Sequence, residues 1–97
     1  MNEEIPTTEP SVDVLESNEA LLLLVDLPGV GKDQLDVQVE GAALAIRASR
    51  TGLRYERSFR LPDTIDQAKI RVALEHGVAR IELPKQEGMK PQRIPVH

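Results

Sequence analysis

Hydrophobic and polar residues alternate along most of this chain, in short runs that glycine, proline or asparagine brings to an end. In the clearest run, Leu35, Val37 and Val39 fall on one side of an extended backbone and the residues between them are polar. A period of two residues is typical of a half-buried β-strand. Seven segments alternate in this way or are short apolar runs: SVDVLES, ALLLLVDL, LDVQVE, ALAIRASR, YERSFRLP, IRVALEHG and GVARIELPK. Short strands at this spacing predict an all-β sandwich of about seven strands, with ALLLLVDL covered on both faces.

The same pattern divides the chain into three parts. Residues 1–10 hold little that is apolar among Glu, Thr and Pro, so we expect a short disordered N-terminal arm. Residues 11–85 contain all the alternating runs and form the predicted sandwich domain. Residues 86–97 are a C-terminal extension that is polar until its last few positions. Inside the domain only DTIDQAKI has helical character, with Asp63 or Thr64 as the cap and room for about two turns.

Composition indicates one small globular domain. Hydrophobic residues make up 40% of the 97 residues, which is enough for a core, and because only 2% are aromatic this core must rest on Val, Leu and Ile. The net charge is −4 and Lys and Arg form no basic cluster, so we expect no nucleic-acid partner. The chain has no cysteine and therefore no disulfide.

Targeting signals are also missing from the pattern. The N-terminus MNEEIPTTEP has neither a basic start nor an apolar run, unlike a signal peptide. The longest apolar run, ALLLLV, is far too short to span a bilayer. We therefore expect a soluble, cytoplasmic protein with no membrane partner.

No catalytic, cofactor-binding or metal site stands out. Neither histidine, His76 or His97, has a serine or aspartate beside it. No glycine-rich loop precedes a helix, and with no cysteine and two isolated histidines we expect no zinc site. We expect no enzyme. A triad assembled from distant residues stays open, and loss of a catalytic activity on replacing His76 would favour it.

Arg57 interrupts an apolar stripe. In LRYERSFRL five alternate positions share one face of a strand, and the four others are apolar: Leu53, Tyr55, Phe59 and Leu61. A guanidinium in such a stripe must find a carboxylate or reach solvent, because burying it unpaired is costly. Two interpretations stay open. Either the stripe runs off the sheet edge and Arg57 extends to water, or Arg57 lies at a subunit contact and pairs with an acid of this chain or another.

The C-terminal extension ends in two apolar side chains. In an extended backbone Ile94 and Val96 point to one side and Pro95 to the other. Proline lacks a backbone N–H, so the segment suits a sheet edge or a groove better than the middle of a sheet. Carried by the polar linker QEGMKPQR, these residues look like a peptide ligand for a hydrophobic slot, although they could instead form the last strand of the domain.

The order of the motifs resembles the alpha-crystallin domain of small heat-shock proteins. The resemblance covers most of the chain, from VDVLESNEALLLLVDLPGVGKDQLDVQVEGAALAIRASR through YERSFRLPDTID and ALEHGVARIELPK to RIPV. Within it, DLPGV, RSFRLP and GVARIELPK are jointly quite specific. The resemblance implies an immunoglobulin-like two-sheet sandwich that holds unfolding client proteins under stress, without ATP or a cofactor. It also implies self-association into a dimer or a larger oligomer.

The resemblance assigns roles to particular residues. The tail motif of the family, Ile-x-Ile/Val, falls on Ile94 and Val96 around Pro95, and implies docking into a groove between two strands of a neighbouring subunit. The strand arginine that the family places at its dimer interface falls on Arg57. On this chain the groove would be formed by LDVQVE and IRVALE and lined by Leu35, Val37, Val39, Ile70, Val72 and Leu74.

The chain also departs from the family pattern. The link TGLR is too short to carry the extra strand that bacterial and plant members exchange between subunits, so edge-to-edge pairing through YERSFRLP and a monomer stay open as alternatives. The N-terminal arm is polar and short where that of the family is apolar and longer. A second function therefore stays open: a non-holding interaction module or adaptor sandwich that binds one folded partner.

Overall fold

Eight strands form two four-stranded sheets in this computed structural model, which describes residues 4–89, 91 and 93–96. In chain order the strands are β1 (Thr7–Thr8), β2 (Val12–Glu16), β3 (Ala20–Asp26), β4 (Leu35–Glu40), β5 (Ala43–Arg50), β6 (Leu53–Arg60), β7 (Arg71–Glu75) and β8 (Val78–Pro84). Single turns of 3₁₀-helix lie at Lys32–Gln34, Gln67–Lys69 and Glu87–Met89. The predicted all-β, two-sheet sandwich is confirmed; β2 to β8 correspond to the seven predicted strands, and β1 is additional.

The strand order places β4 and β7 at sheet edges. One sheet has the order β1-β6-β5-β4 and the other β2-β3-β8-β7. Thr51-Gly52 joins β5 to β6 and His76-Gly77 joins β7 to β8, both as two-residue hairpin turns. His76 and Gly77 have φ of 50° and 76°, the conformation whose twist matches a tight hairpin. In these strand orders β4 and β7 are edge strands of their sheets.

The core lies where the alternating apolar residues of the two sheets meet. Leu44 and Ile46 of β5 face Val25 of β3 and Ile81 of β8, and all four are completely buried. The strand β3 differs from the prediction of cover on both faces. Leu23 and Val25 are buried, but Leu22 and Leu24 on the outer face are half-buried, because no second layer covers that face in the described part of the chain.

The segment DTIDQAKI forms less helix than its sequence suggests. Its helix is one 3₁₀ turn, Gln67–Lys69, capped by Asp66, whose Oδ1 accepts a hydrogen bond from the Ala68 N–H at 3.1 Å. The predicted two turns from Asp63 or Thr64 do not form. Ile65 is 3% exposed and forms an antiparallel β-bridge with Lys85, just after β8. Its backbone is therefore extended and cannot be part of a helix.

The N-terminal arm is ordered where the sequence indicates disorder. Thr7 and Thr8 pair in parallel with Arg54 and Tyr55 of β6, and Pro10 is buried. A sheet edge presents unpaired backbone groups, and this short strand satisfies some of those on β6. Residues 1–3 lie outside the described residues.

Candidate functional site: a groove between two edge strands

The strands β4 and β7 belong to different sheets but lie along the same flank of the sandwich. A groove of about 510 Å³ runs between them. Among the described residues β4 pairs only with β5, and β7 only with β8, so each has a backbone edge on this flank that no strand covers. The site therefore combines a hollow between two layers with two open strand edges.

Alternate residues of both strands turn into the groove. Leu35 and Val37 of β4 are half-buried, and their register opposite Ala48 and Ile46 of β5 places them on the inner face. On β7, Val72 is 42% exposed and Leu74 is 8% exposed. The lining consists of Lys32, Leu35, Asp36, Val37, Val72, Ala73, Leu74 and Glu75. The structure thus brings together four of the six residues predicted to line it.

The other two predicted residues lie apart from this hollow. Val39 is on β4 but nearer its end, is 38% exposed, and is not among the groove-lining residues. Ile70 comes just before β7, where it is the C-terminal cap of the Gln67–Lys69 turn and packs against the core. The apolar centre of the groove is therefore shorter than the two full strands.

Charged side chains form the rim of the groove. Lys32 comes from the 3₁₀ turn before β4, while Asp36 and Glu75 are exposed residues of the edge strands. Asp36 also accepts a hydrogen bond from the Gln38 side-chain amide at 2.9 Å. With two carboxylates and one ammonium, the rim favours a ligand that carries positive charge beside its apolar side chains. The sequence prediction did not include these rim residues, because it took only the apolar alternate positions of the two strands. Asp36 and Glu75 fall on the polar positions, and Lys32 precedes β4.

The C-terminal motif does not occupy this groove in its own chain. Ile94 is 82% exposed and Val96 is 96% exposed, and Pro95 is also exposed. None of the three is among the groove-lining residues. Lys90, Gln92 and His97 of the predicted extension lie outside the described residues.

Arg57 is on the opposite flank and interacts within its own chain. Its Nη1 donates a hydrogen bond to the carbonyl oxygen of Pro10 at 3.0 Å. Its guanidinium carbon lies 5.0 Å from the centre of the Phe59 ring, a cation–π contact. Arg57 is half-buried, and its hydrogen-bond partner in its own chain is a backbone oxygen and not a carboxylate. A role for Arg57 at a subunit contact stays a prediction.

The groove offers binding surface and little reactive chemistry. Its centre is apolar, and among the described residues no group of three or more His, Asp or Glu side chains is placed to hold a metal ion. At Glu40 the Arg47 guanidinium donates a hydrogen bond at 2.9 Å and holds the pKa of the carboxyl group below its ordinary value of 4.5. That pair is exposed and lies outside the groove. No helix formed by the described residues could cross a membrane.

Known proteins show the same fold and related sequences. The model of the Hsp20/alpha crystallin family matches residues 13–97. The chain is 31% identical to Spore protein SP21 of Stigmatella aurantiaca, covering 94% of this chain and 63% of that protein. It is 34% identical to the 16.9 kDa class I heat shock protein 1 of Triticum aestivum, covering 84% and 65%. The chain therefore spans less than two thirds of the length of these two curated relatives.

Two solved structures agree with these sequence matches. The small heat-shock protein from Xylella fastidiosa superimposes with a TM-score of 0.75 at 30% identity, over 91% of this chain and 95% of that one. The heat shock protein 16.0 from Schizosaccharomyces pombe gives a TM-score of 0.76 at 25% identity, over 99% and 81%. The sandwich described above is thus similar to theirs along nearly its whole length.

Proposed function

This chain belongs to the Hsp20/alpha crystallin family, and from that premise we propose that it is an ATP-independent chaperone of the cytoplasm. It holds unfolding proteins by the groove between β4 and β7 and thereby prevents their aggregation. The observation that carries the proposal is the groove itself, with an apolar centre between two strand edges that no other described strand covers.

The groove matches what an unfolding protein exposes. Such a protein presents apolar segments and unpaired strand backbone, and these aggregate unless they are covered. Leu35, Val37, Val72 and Leu74 can receive apolar side chains at alternate positions of an extended segment, while either strand edge can pair with its backbone. Binding of this kind requires no reaction and no cofactor.

At rest the groove takes the tail of another copy. Ile94 and Val96 have the two-residue spacing of an extended ligand and are 82% and 96% exposed in their own chain. Arg93, just before them, brings a positive charge to a rim that contains Asp36 and Glu75. The chain then self-associates through its tails. Tails and clients compete for one site, and tethering makes a weak tail effective.

The affinity is suited to release. Burying an aliphatic side chain fully is worth about 1.5–3 kcal/mol, before the entropy of ordering the tail is subtracted. Two such side chains give a contact that opens spontaneously, so a client segment can displace the tail as it becomes exposed.

Aggregation of a heated or reduced client, followed by light scattering without ATP, tests this proposal. The informative variant is Val72→Asp, which puts a carboxylate in the groove. Its matched control is Val14→Asp. Val14 lies on β2, the other edge strand of the same sheet, and the register partners Leu23 and Ile81 lie between it and Val72. Val14 is 57% exposed. We expect suppression by the unchanged chain and by Val14→Asp at near-equal subunit ratios, and its loss in Val72→Asp. Equal activity of the two variants, or none in the unchanged chain, would refute it.

A further inference from the structure

The outer face of the sheet β2-β3-β8-β7 is apolar at a place where a face in water is usually polar. Antiparallel sheets with one solvated face commonly alternate apolar inward and polar outward residues. The other sheet follows this rule, since the outward residues of β4 are Asp36, Gln38 and Glu40. On β3 the outward residues Leu22 and Leu24 are apolar. A continuous apolar run is typical of a strand covered on both faces, and the described part of the chain covers only one face of β3.

Three leucines form the centre of this outer face. Leu22 and Leu24 are half-buried, and Leu15 of β2, the register partner of Leu22, is 53% exposed. We call these three residues the leucine patch. A hollow of about 210 Å³ opens beside Leu22 and is bordered by Leu15, Ala20 and Glu82. Single exposed leucines are common on protein surfaces, whereas adjoining ones beside a hollow indicate an interaction surface.

Two opposite charges of β8 lie beside the leucine patch. Glu82 is the register partner of Leu22, and Arg80 is the register partner of Leu24. Among the described residues no ion pair includes either side chain. Two successive rows of the face therefore have a leucine next to a charge, a carboxylate in one row and a guanidinium in the other.

This arrangement is complementary to itself. Two sheets that stack face to face lie about 10 Å apart with their strands nearly aligned. A two-fold axis between the sheets, at right angles to the strands, places β3 on β3 and β8 on β8 in opposite directions. Leu22 of each copy then lies over Leu24 of the other, next to the hollow. Glu82 of each copy lies over Arg80 of the other, so two pairs of opposite charges flank four leucines.

We propose that the leucine patch is a dimer interface: a second copy of this chain covers it back to back, with leucine on leucine and each Glu82 paired with the Arg80 of the other copy. A second copy suits this face because both charges meet their opposites when the two faces are the same. With four strands about 4.8 Å apart and the seven residues of β3 about 3.3 Å each, the face measures about 400 Å². Stable interfaces bury about 800 Å² per partner, so we expect a weak dimer that depends on concentration.

The pairing brings the two grooves to one side of the dimer. Since β7 of each copy lies over β7 of the other, the groove between β4 and β7 opens on the same flank in both copies. Two grooves side by side can hold two apolar segments of one unfolding protein, which raises the overall affinity without any new contact. This consequence rests on the proposed holding function, whereas the pairing itself does not.

Sedimentation equilibrium of charge variants tests the pairing. The variants are made in an Ile94→Ala, Val96→Ala chain, so that tails cannot join the copies. This chain should pass from the 10.8 kDa single-chain mass towards twice that value as its concentration rises. Arg80→Glu should weaken the dimer about tenfold or more, because it sets two carboxylates against each other at both pairs. Glu82→Arg, added to it, should restore the dimer.

Arg71→Glu is the matched control. It makes the same charge change on the same face and in the row of Glu82, but on the edge strand β7, where it lies over Ala73 of the other copy. It should not weaken the dimer. Leu24→Asp places a carboxylate in the leucine patch and should leave the chain monomeric, with urea unfolding to show that it is folded.

Three results would overturn the pairing. They are a monomer at the highest soluble concentration of the tail-less chain, equal weakening by Arg71→Glu, and a charge exchange that fails to restore the dimer. Client holding is measured separately in the same variants. Holding without a dimer overturns only the pairing, and a dimer without holding overturns only the proposed chaperone function.

Discussion

Replacing Ile94 and Val96 with alanine should weaken self-association about a thousandfold if both side chains dock in the groove of another copy. In the free chain they are 82% and 96% exposed, so docking can remove nearly all of their surface from water. The double change deletes five carbon atoms, each worth about 0.8 kcal/mol when buried, or about 4 kcal/mol together. A factor of ten in the dissociation constant corresponds to about 1.4 kcal/mol, which gives the thousandfold change.

Sedimentation velocity over a range of concentrations measures this effect. The unchanged chain should form species larger than a dimer, and the double variant should not exceed a dimer at the same concentrations. Met89→Ala is the matched control, because Met89 is an apolar residue of the same extension and is 54% exposed. Since the groove is then unoccupied by tails, the double variant should suppress client aggregation at least as well per chain.

Two results would refute this reasoning. An unchanged size distribution in the double variant would mean that the tail motif does not hold copies together. An equal loss of large species in Met89→Ala would mean that the effect follows from general changes in the extension and not from the two side chains at strand spacing.

Two predictions concern stability. Gly77→Ala should destabilise the domain more than Gly41→Ala in urea unfolding. Both glycines have positive φ, a conformation that costs any other residue about 1–2 kcal/mol. A Cβ at Gly77 would also lie 3.2 Å from the Pro28 Cα, whereas nothing lies within 4 Å of a Cβ at Gly41. Equal losses would contradict this. Because the folded pKa of Glu40 lies below 4.5, its pair with Arg47 contributes fully above that pH and is lost as the pH falls through the lower folded value. Glu40→Gln should therefore lower the free energy of unfolding slightly near neutral pH and not in acid. If the variant and the unchanged chain still differ in stability in acid or in high salt, the ion pair is excluded as the cause.

Local pattern is sufficient to predict most of the sandwich. The inward residues Ile81 and Leu83 of β8 alternate with the polar Arg80 and Glu82, and that alternation depends only on the geometry of one strand. The turn Thr51-Gly52 is short enough to force its strands to pair. The same alternation placed Leu35, Val37, Val72 and Leu74 in the groove, once a resemblance had indicated which two strands form it.

Features that depend on distant contacts could not be predicted in this way. Thr7–Thr8 has no alternation and becomes a strand because β6 has an open edge beside it. The carbonyl of Pro10 as the partner of Arg57 depends on the path of the arm, which composition does not show. Ile70 has the right phase for the groove but comes before β7 begins, because the turn Gln67–Lys69 extends up to it.

Hydrogen–deuterium exchange during client holding tests the central claim most directly. The full chain would be exchanged with and without a heat-unfolded client at equal subunit ratio, and amides of Leu35–Glu40 and Arg71–Glu75 compared with those of Val12–Glu16 on the other flank. The groove account predicts slower exchange in the first two segments and little change in the third. Client-induced protection that spares both groove strands, or that falls on Val12–Glu16 alone, would contradict it.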